Sequence, residues 1–293
     1  MEKYSIFHLE GGMGKNILAT SVVSSLKKSD PDRKIILVTA WPQVWFNNPN
    51  VHQVYPMGYL ANFHKNYIYK QDVKIYRHEP YHSQDYILGT KHLIETWCNL
   101  VGVQWDGTAP KLYFSPLELE YIKLKVLQGV TKPIFLLHTN GGTPNTRPYS
   151  WYRDLPFQNS MDVVEYFKKD YHIYQVGYEN QDLIEGCHRL HLDTREILGS
   201  VLFSDKRLLI DSFSQHASIA HGLKSVVCWI GNKPTVLGYS TNINLTPQAE
   251  PVFDTYHSSY LEDFDIGGNP VQCPYDTVKL FDSNEIIRNL LSI

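Results

Sequence analysis

Tyr4-Ser5-Ile6-Phe7-His8-Leu9-Glu10-Gly11-Gly12-Met13-Gly14-Lys15-Asn16-Ile17-Leu18-Ala19-Thr20 passes from strand to glycine-rich turn to helix, and that order decides the fold class. Residues 4–9 are an apolar-rich run of strand length, and residues 10–14 form the turn. In residues 16–28, Ile17, Leu18, Ser21, Val22, Ser25 and Leu26 line one side of a predicted helix. Ile35-Ile36-Leu37-Val38-Thr39 then reads as a strand covered on both faces, as in a parallel sheet. A β-α-β unit closes by Thr39.

Working outward, the pattern predicts short strands over 50–55 and 72–76 and helices over 89–101 and 117–127. Gly129-Val130-Thr131-Lys132-Pro133 follows, and the domain boundary is placed there, giving halves of 1–130 and 131–293 with the C-terminal helix available to pack back on the first. The second half begins again with a strand over 134–138, a helix near 159–169, strands over 172–176 and 208–210, a helix over 214–221 and a strand over 225–230. It repeats the α/β logic of the first half without repeating its sequence.

With 293 residues, 43% of them hydrophobic and 19% charged, the chain has material for two ordinary cores and no disordered bias. A net charge of −3 excludes a global basic field that would draw it to nucleic acid or an anionic membrane. Cys98, Cys187, Cys228 and Cys273 are scattered with no C-x-x-C pair, which points to reduced thiols rather than disulfides or a zinc knuckle. The N-terminus has too short an apolar stretch for a signal peptide, and no segment approaches the ~18 apolar residues of a membrane span. The expectation is a cytoplasmic protein with no membrane insertion.

Two turns carry the chemistry. In Glu10-Gly11-Gly12-Met13-Gly14-Lys15-Asn16 the glycines let backbone approach a ligand, and the following helix N-terminus offers unpaired N–H groups to a phosphate or carboxylate. A tight turn with no ligand is the competing reading. Leu209-Ile210-Asp211-Ser212-Phe213-Ser214-Gln215-His216-Ala217 is a second strand-to-helix turn, where Ser212 or Ser214 serves as a plain N-cap or the helix start receives a diphosphate. The first turn also suggests a variant P-loop ATPase. Walker A, however, needs glycine where Leu9 stands and a Mg²⁺-binding hydroxyl where Asn16 stands, and the extra lysine of the variant loop would fall at Glu10.

The order of these segments resembles glycosyltransferase family 9, the heptosyltransferase-like enzymes, over nearly the whole chain. Gly11-Gly12-Met13-Gly14-Lys15-Asn16-Ile17-Leu18 is similar to that family's G-G-x-G-D-x-L loop. His138-Thr139-Asn140-Gly141-Gly142 followed by Arg147-Pro148-Tyr149-Ser150-Trp151 resembles its mid-chain loop, and Asp211-Ser212-Phe213-Ser214-Gln215-His216 its D-[ST]-G-x-x-H motif. The resemblance implies an α/β GT-B fold, two Rossmann-like domains facing across a cleft. It further implies an inverting, metal-independent glycosyltransferase that moves a sugar from a nucleoside-diphosphate sugar to an acceptor hydroxyl. No cofactor is expected beyond that co-substrate, a UDP-sugar or ADP-sugar.

On this resemblance the donor is bound by Gly11, Gly12, Gly14, Asn140, Gly141, Arg147, Asp211, Ser212, Ser214, Gln215 and His216. The first half holds the acceptor, a glycan or other small hydroxyl compound, with His78, Glu79 and Tyr81 as candidates; a hydroxymethylated DNA base is a minor alternative. Two departures matter. The loop aspartate that serves that family as general base is Lys15 here, so Glu10 becomes the candidate base and Lys15 the candidate charge stabiliser. Phe213 replaces a glycine and is expected to narrow the donor pocket. A non-catalytic nucleotide- or glycan-binding module stays open for the same reason. His78-Glu79-Pro80-Tyr81-His82 matches H-E-x-x-H by letter, but Pro80 breaks the helix that zinc binding would require, and no metal is expected.

Overall fold

In the computed structural model, residues 1–141, 151–252, 273–275 and 279–293 are described. The first half runs β1 (Lys3–Leu9), α1 (Met13–Ser29), β2 (Lys34–Thr39), β3 (Gln53–Pro56), β4 (Asp72–Tyr76), the single turn α2 (Gln84–Ile87), α3 (Leu93–Leu100) and α4 (Pro116–Leu127). The second runs β5 (Ile134–His138), α5 (Phe157–Phe167), β6 (His172–Val176), β7 (Cys187–Arg189), α6 (Thr194–Ser200), β8 (Lys206–Ile210), α7 (Phe213–Ala220), β9 (Val226–Cys228), α8 (Pro234–Leu237), β10 (Ile243–Leu245) and α9 (Ser283–Leu291). Helix α1 begins at Met13 rather than Asn16, because its first turn is glycine-rich and the apolar spacing starts only at Ile17.

Among the described residues the strands form two sheets, β3-β2-β1-β4 and β10-β9-β8-β5-β6-β7, and the pairings are parallel throughout. Parallel strands need cover on both faces. Ile35, Ile36, Leu37 and Val38 of β2 are accordingly all buried. In each sheet the chain lays its first strand, adds strands on one side, and then crosses to the other. The switch points fall between β1 and β4 and between β5 and β8. At such points the loops leave the carboxyl ends of adjacent strands in opposite directions and open a crevice for ligands.

The two halves share buried surface. Phe7, Leu9 and Ile17 from the first and Leu136, Leu209 and Trp229 from the second lie in one hydrophobic cluster, and α1 packs directly on α7. Helix α4, assigned by sequence to the first half, packs on α6 of the second. Arg195 on α6 completes this junction: it donates to Glu118 Oε1 at 3.0 Å and to the Gln43 carbonyl at 3.1 Å, also reaches the Tyr113 carbonyl, and lies 3.7 Å over the Phe114 ring. Burial acts to raise the Glu118 carboxyl, but hydrogen bonds from Arg195 and Ser115 outweigh it and hold the pKa at about 2.

One expectation is corrected. Helix α9 lies against α5, β8 and β9, with Ile286 and Leu290 in the cluster beneath the second sheet, so it covers its own half instead of returning to the first.

Candidate active site

The loops at the two switch points meet. A Cβ placed on Gly14, in the first turn of α1, would lie 3.1 Å from His216 Cδ2 and 3.3 Å from Phe213 Cα of α7. A side chain there would have to push α7 back by a few tenths of an ångström, so glycine suits this close approach of the two helix N-termini. Neither start is capped by a side chain: Gly12 stands at the cap of α1 and Ser212 at the cap of α7, where its hydroxyl makes no capping bond. Helix starts leave several N–H groups without intrahelical partners, and their dipoles favour anions. Space is open beside the α carbon of Gly12, so a ligand can come close to the backbone there.

The second-half loops are held by buried polar bonds. His138, at the end of β5, has Nδ1 2.7 Å from Ser214 Oγ, which fastens this loop to the first turn of α7. Asp154 accepts from the Gly141 N–H at 2.7 Å and from Asn140 Nδ2 at 3.2 Å, shaping the predicted donor loop. Asp211 accepts from Asn232 Nδ2 at 2.5 Å; burial drives its carboxyl pKa up, against the pull of Arg153 and Asn232.

Two predicted donor side chains face inward. Gln215 Nε2 donates to the Leu237 carbonyl at 3.0 Å. His216 Nδ1 sits 2.8 Å from the Tyr239 hydroxyl, and burial, with neighbouring His92, lowers its pKa to about 3. It is a neutral support for α7. Burial also lowers His138 to about 4. Arg147 lies outside the described residues. Phe213 packs tilted against His138, with centroids 5.3 Å apart, at the point where the two halves meet.

On the first-half side, Glu10 and Lys15, the candidate base and charge stabiliser, each pair with a residue from beyond β4. Glu10 is bound by Arg77, 2.6 Å away, whose hydrogen bond and charge lower the carboxyl pKa. Lys15 turns inward: its side chain is 3% exposed and its ammonium pairs with Glu79, 5.2 Å from the Tyr81 ring centroid and 5.4 Å from that of Trp97. It packs beneath Gly11, whose φ of 94° and missing Cβ both suit glycine, since a Cβ there would lie 2.9 Å from Lys15 Cδ. Glu79 and Tyr81 thus belong to the α1 N-terminus, while His78 stays outside against Tyr76. His82 ends the single 3₁₀ turn Pro80–His82 and His78 lies before it, so the two do not share one helix face.

The sequence reading missed Arg153, His138 and Asn232. Arg153 lies against Gly141, whose added Cβ would fall 2.1 Å from Arg153 Cδ, and its charge reaches Asp211 and His138. Among the described residues it is a cation brought to the second-half loops. Arg153 lies just past the segment Arg147 to Trp151 on which the family resemblance rests, so the resemblance points to Arg147 instead.

Two parallel Rossmann-like sheets meeting through helix N-termini at their switch points define the architecture. The chain has the GT-B fold. Its structure superposes on a family 9 glycosyltransferase from Veillonella parvula with TM-score 0.70 and 14% identity, covering 99% of this chain and 96% of that one. It matches the ADP-heptose lipopolysaccharide heptosyltransferase II of E. coli with TM-score 0.64 and 13% identity, covering 99% of each. A third match is TibC, a dodecameric iron-containing glycosyltransferase of E. coli, with TM-score 0.70 and 12% identity over 100% of this chain and 80% of that one. No model of a protein family matches the sequence, and no curated protein does. No helix among the described residues is long and apolar enough to cross a membrane.

Proposed function

We propose that this GT-B chain is a glycosyltransferase that moves a sugar from a nucleoside-diphosphate sugar to an acceptor hydroxyl, with inversion. The observation that carries the reading is the meeting of two uncapped helix starts, one from each switch point, marked by the contact of Gly14 with α7. A diphosphate placed there receives backbone N–H groups from both halves, and Arg153 adds a full positive charge. These groups can neutralise the leaving diphosphate without a divalent cation, which is the role proposed for them. The donor base is proposed as adenine or uracil, adenine being favoured by the likeness to an enzyme named for ADP-heptose. The acceptor, a glycan or other hydroxyl compound, would enter from the first half.

An ATPase of the P-loop type is disfavoured by two placements. The Lys15 ammonium is spent on Glu79. Asn16 Oδ1 accepts from Thr39 Oγ1 at 2.5 Å and from Trp45 Nε1 at 3.1 Å, so its side chain is tied into the core.

A thermal-shift screen of UDP-, ADP-, GDP- and CMP-sugars tests the proposal. A ligand at about 100 times its Kd stabilises the native state by ~2.7 kcal/mol, roughly 5 °C for a chain of this size. ADP- or UDP-sugars are expected to give that shift. If no sugar nucleotide raises the melting temperature at millimolar concentration, the donor site does not exist.

A further inference from the structure

We propose that Glu79 is the general base of this site, and Glu10 is not. The inference rests on the transferase reading above. Transfer to a hydroxyl needs a proton acceptor beside the attacking oxygen, and the described structure brings Asp211, Glu10 and Glu79 to these loops beside Asp154, which is buried and already bonded to the Gly141 N–H and Asn140. Asp211 is buried and engaged by Asn232 at 2.5 Å. Glu10 is half exposed and turned to Arg77 at 2.6 Å.

Glu79 differs from both. Its carboxylate is mostly enclosed yet keeps 24% of the side chain open, so solvent or a small hydroxyl can reach it. Lys15 comes from the first turn of α1, one residue from the contact with α7, and fixes Glu79 Oε2 at this helix start. The backbone N–H of Tyr81 approaches Oε1 at 3.3 Å, a long bond that an incoming hydroxyl can displace. The rings of Tyr81 and Trp97 lie 5.2 and 5.4 Å from the Lys15 ammonium and hold that end of the pair in place. Lys15 therefore acts through Glu79 as a positioning residue, holding its carboxylate in one orientation.

In the step, the acceptor oxygen forms its bond to the anomeric carbon while the bond from that carbon to the diphosphate oxygen breaks. The electron pair leaves with the nucleoside diphosphate, stabilised at the two helix starts. The hydroxyl proton passes to the Glu79 carboxylate.

The test measures nucleoside diphosphate released from ADP-heptose or UDP-glucose, with water and glycerol as acceptors, across the pH range. Glu79→Gln keeps an oxygen for Lys15 and should fold, which its melting temperature verifies. Its release rate is expected to fall at least 100-fold with the acid limb of the pH profile lost, while stabilisation by the sugar nucleotide is retained. Glu10→Gln is expected to stay within threefold of wild type. Formate should restore activity to Glu79→Ala, a rescue that a merely structural role would not give. Glu79→Gln within threefold of wild type, an equal loss in Glu10→Gln, absence of formate rescue in a folded Glu79→Ala, or a wild type that binds donor yet releases no nucleotide each overturns the assignment. Failure of wild type to bind either sugar nucleotide removes the transferase reading and this inference with it, and is seen separately in the binding data.

Discussion

Replacing Lys15 by alanine separates a structural strut from a phosphate-binding cation. The side chain is 3% exposed and ends on Glu79, which keeps 24%, so the substitution leaves a carboxylate without its partner in a mostly enclosed place and empties the space beneath Gly11. Breaking a buried pair from one side costs about 3–5 kcal/mol. At about 2 °C per kcal/mol for a chain of this length, the melting temperature should fall by roughly 6–10 °C. The double variant Lys15→Met, Glu79→Gln removes both charges and keeps the volume, and it should recover most of the loss, since apolar replacement of a whole buried pair is often neutral. The assay is a double-mutant cycle by urea unfolding, with Lys15→Met and Glu79→Gln as the single arms. A coupling above about 1 kcal/mol supports the strut. A Lys15→Ala protein that melts within about 2 °C of wild type refutes it and returns Lys15 to the candidates for direct phosphate contact.

Arg195→Met should cost about 3 kcal/mol in chemical unfolding, because the guanidinium joins α6 to Glu118 and to carbonyls of the first half; an effect below about 1 kcal/mol would mean that the junction is not held there. Gly14→Ala should destabilise by about 1–2 kcal/mol although alanine is the better helix former by up to ~1 kcal/mol, since the backbone Cα of Phe213 at 3.3 Å cannot yield as a flexible side chain does. A stabilised Gly14→Ala would show that α1 and α7 do not touch. Acid melts should show stability intact above pH 6.5 and falling as the pH drops towards 4. His92, His138 and His216 have folded pKa values lowered by burial to about 4, 4 and 3, so the unfolded chain binds protons first, each full unit being worth about 1.4 kcal/mol. Glu118, held at about 2, adds a further loss from about pH 4.5 downward, and a flat profile from pH 7 to 4 would contradict the burial of these imidazoles.

The fold was legible where sequence pattern and burial coincide. β2 was visible because a strand covered on both faces must be apolar throughout, and the turns before α1 and α7 because glycine, serine and a sudden change of period mark a strand-to-helix passage. The strands β7 and β10 span only Cys187–Arg189 and Ile243–Leu245, too short for any alternation to register. They pair only because β6 and β9 are already in place. Helix α6 carries a capping box at Asp193 and Glu196, a signal present in the sequence but unread, since its apolar face is short and its buried residues include Arg195 and Glu196.

The charged residues show where such reading stops. Glycines and helix starts reveal where an anion can sit because the requirement is local: the backbone needs a positive φ, or a bare N–H, at that position. A side chain's charge has no such local meaning. Lys15 looks like a phosphate ligand because it follows the glycines, but the partner that decides its role is 64 residues away, across the switch point between β1 and β4. Glu10 likewise looks available until Arg77, delivered by that same crossing, captures it. The β1/β4 crossing thus exchanges the two carboxylates: the one adjacent in sequence is drawn outward, and the distant one is brought under the helix start. Local sequence locates the pocket, and chain topology selects which of its charges can act there.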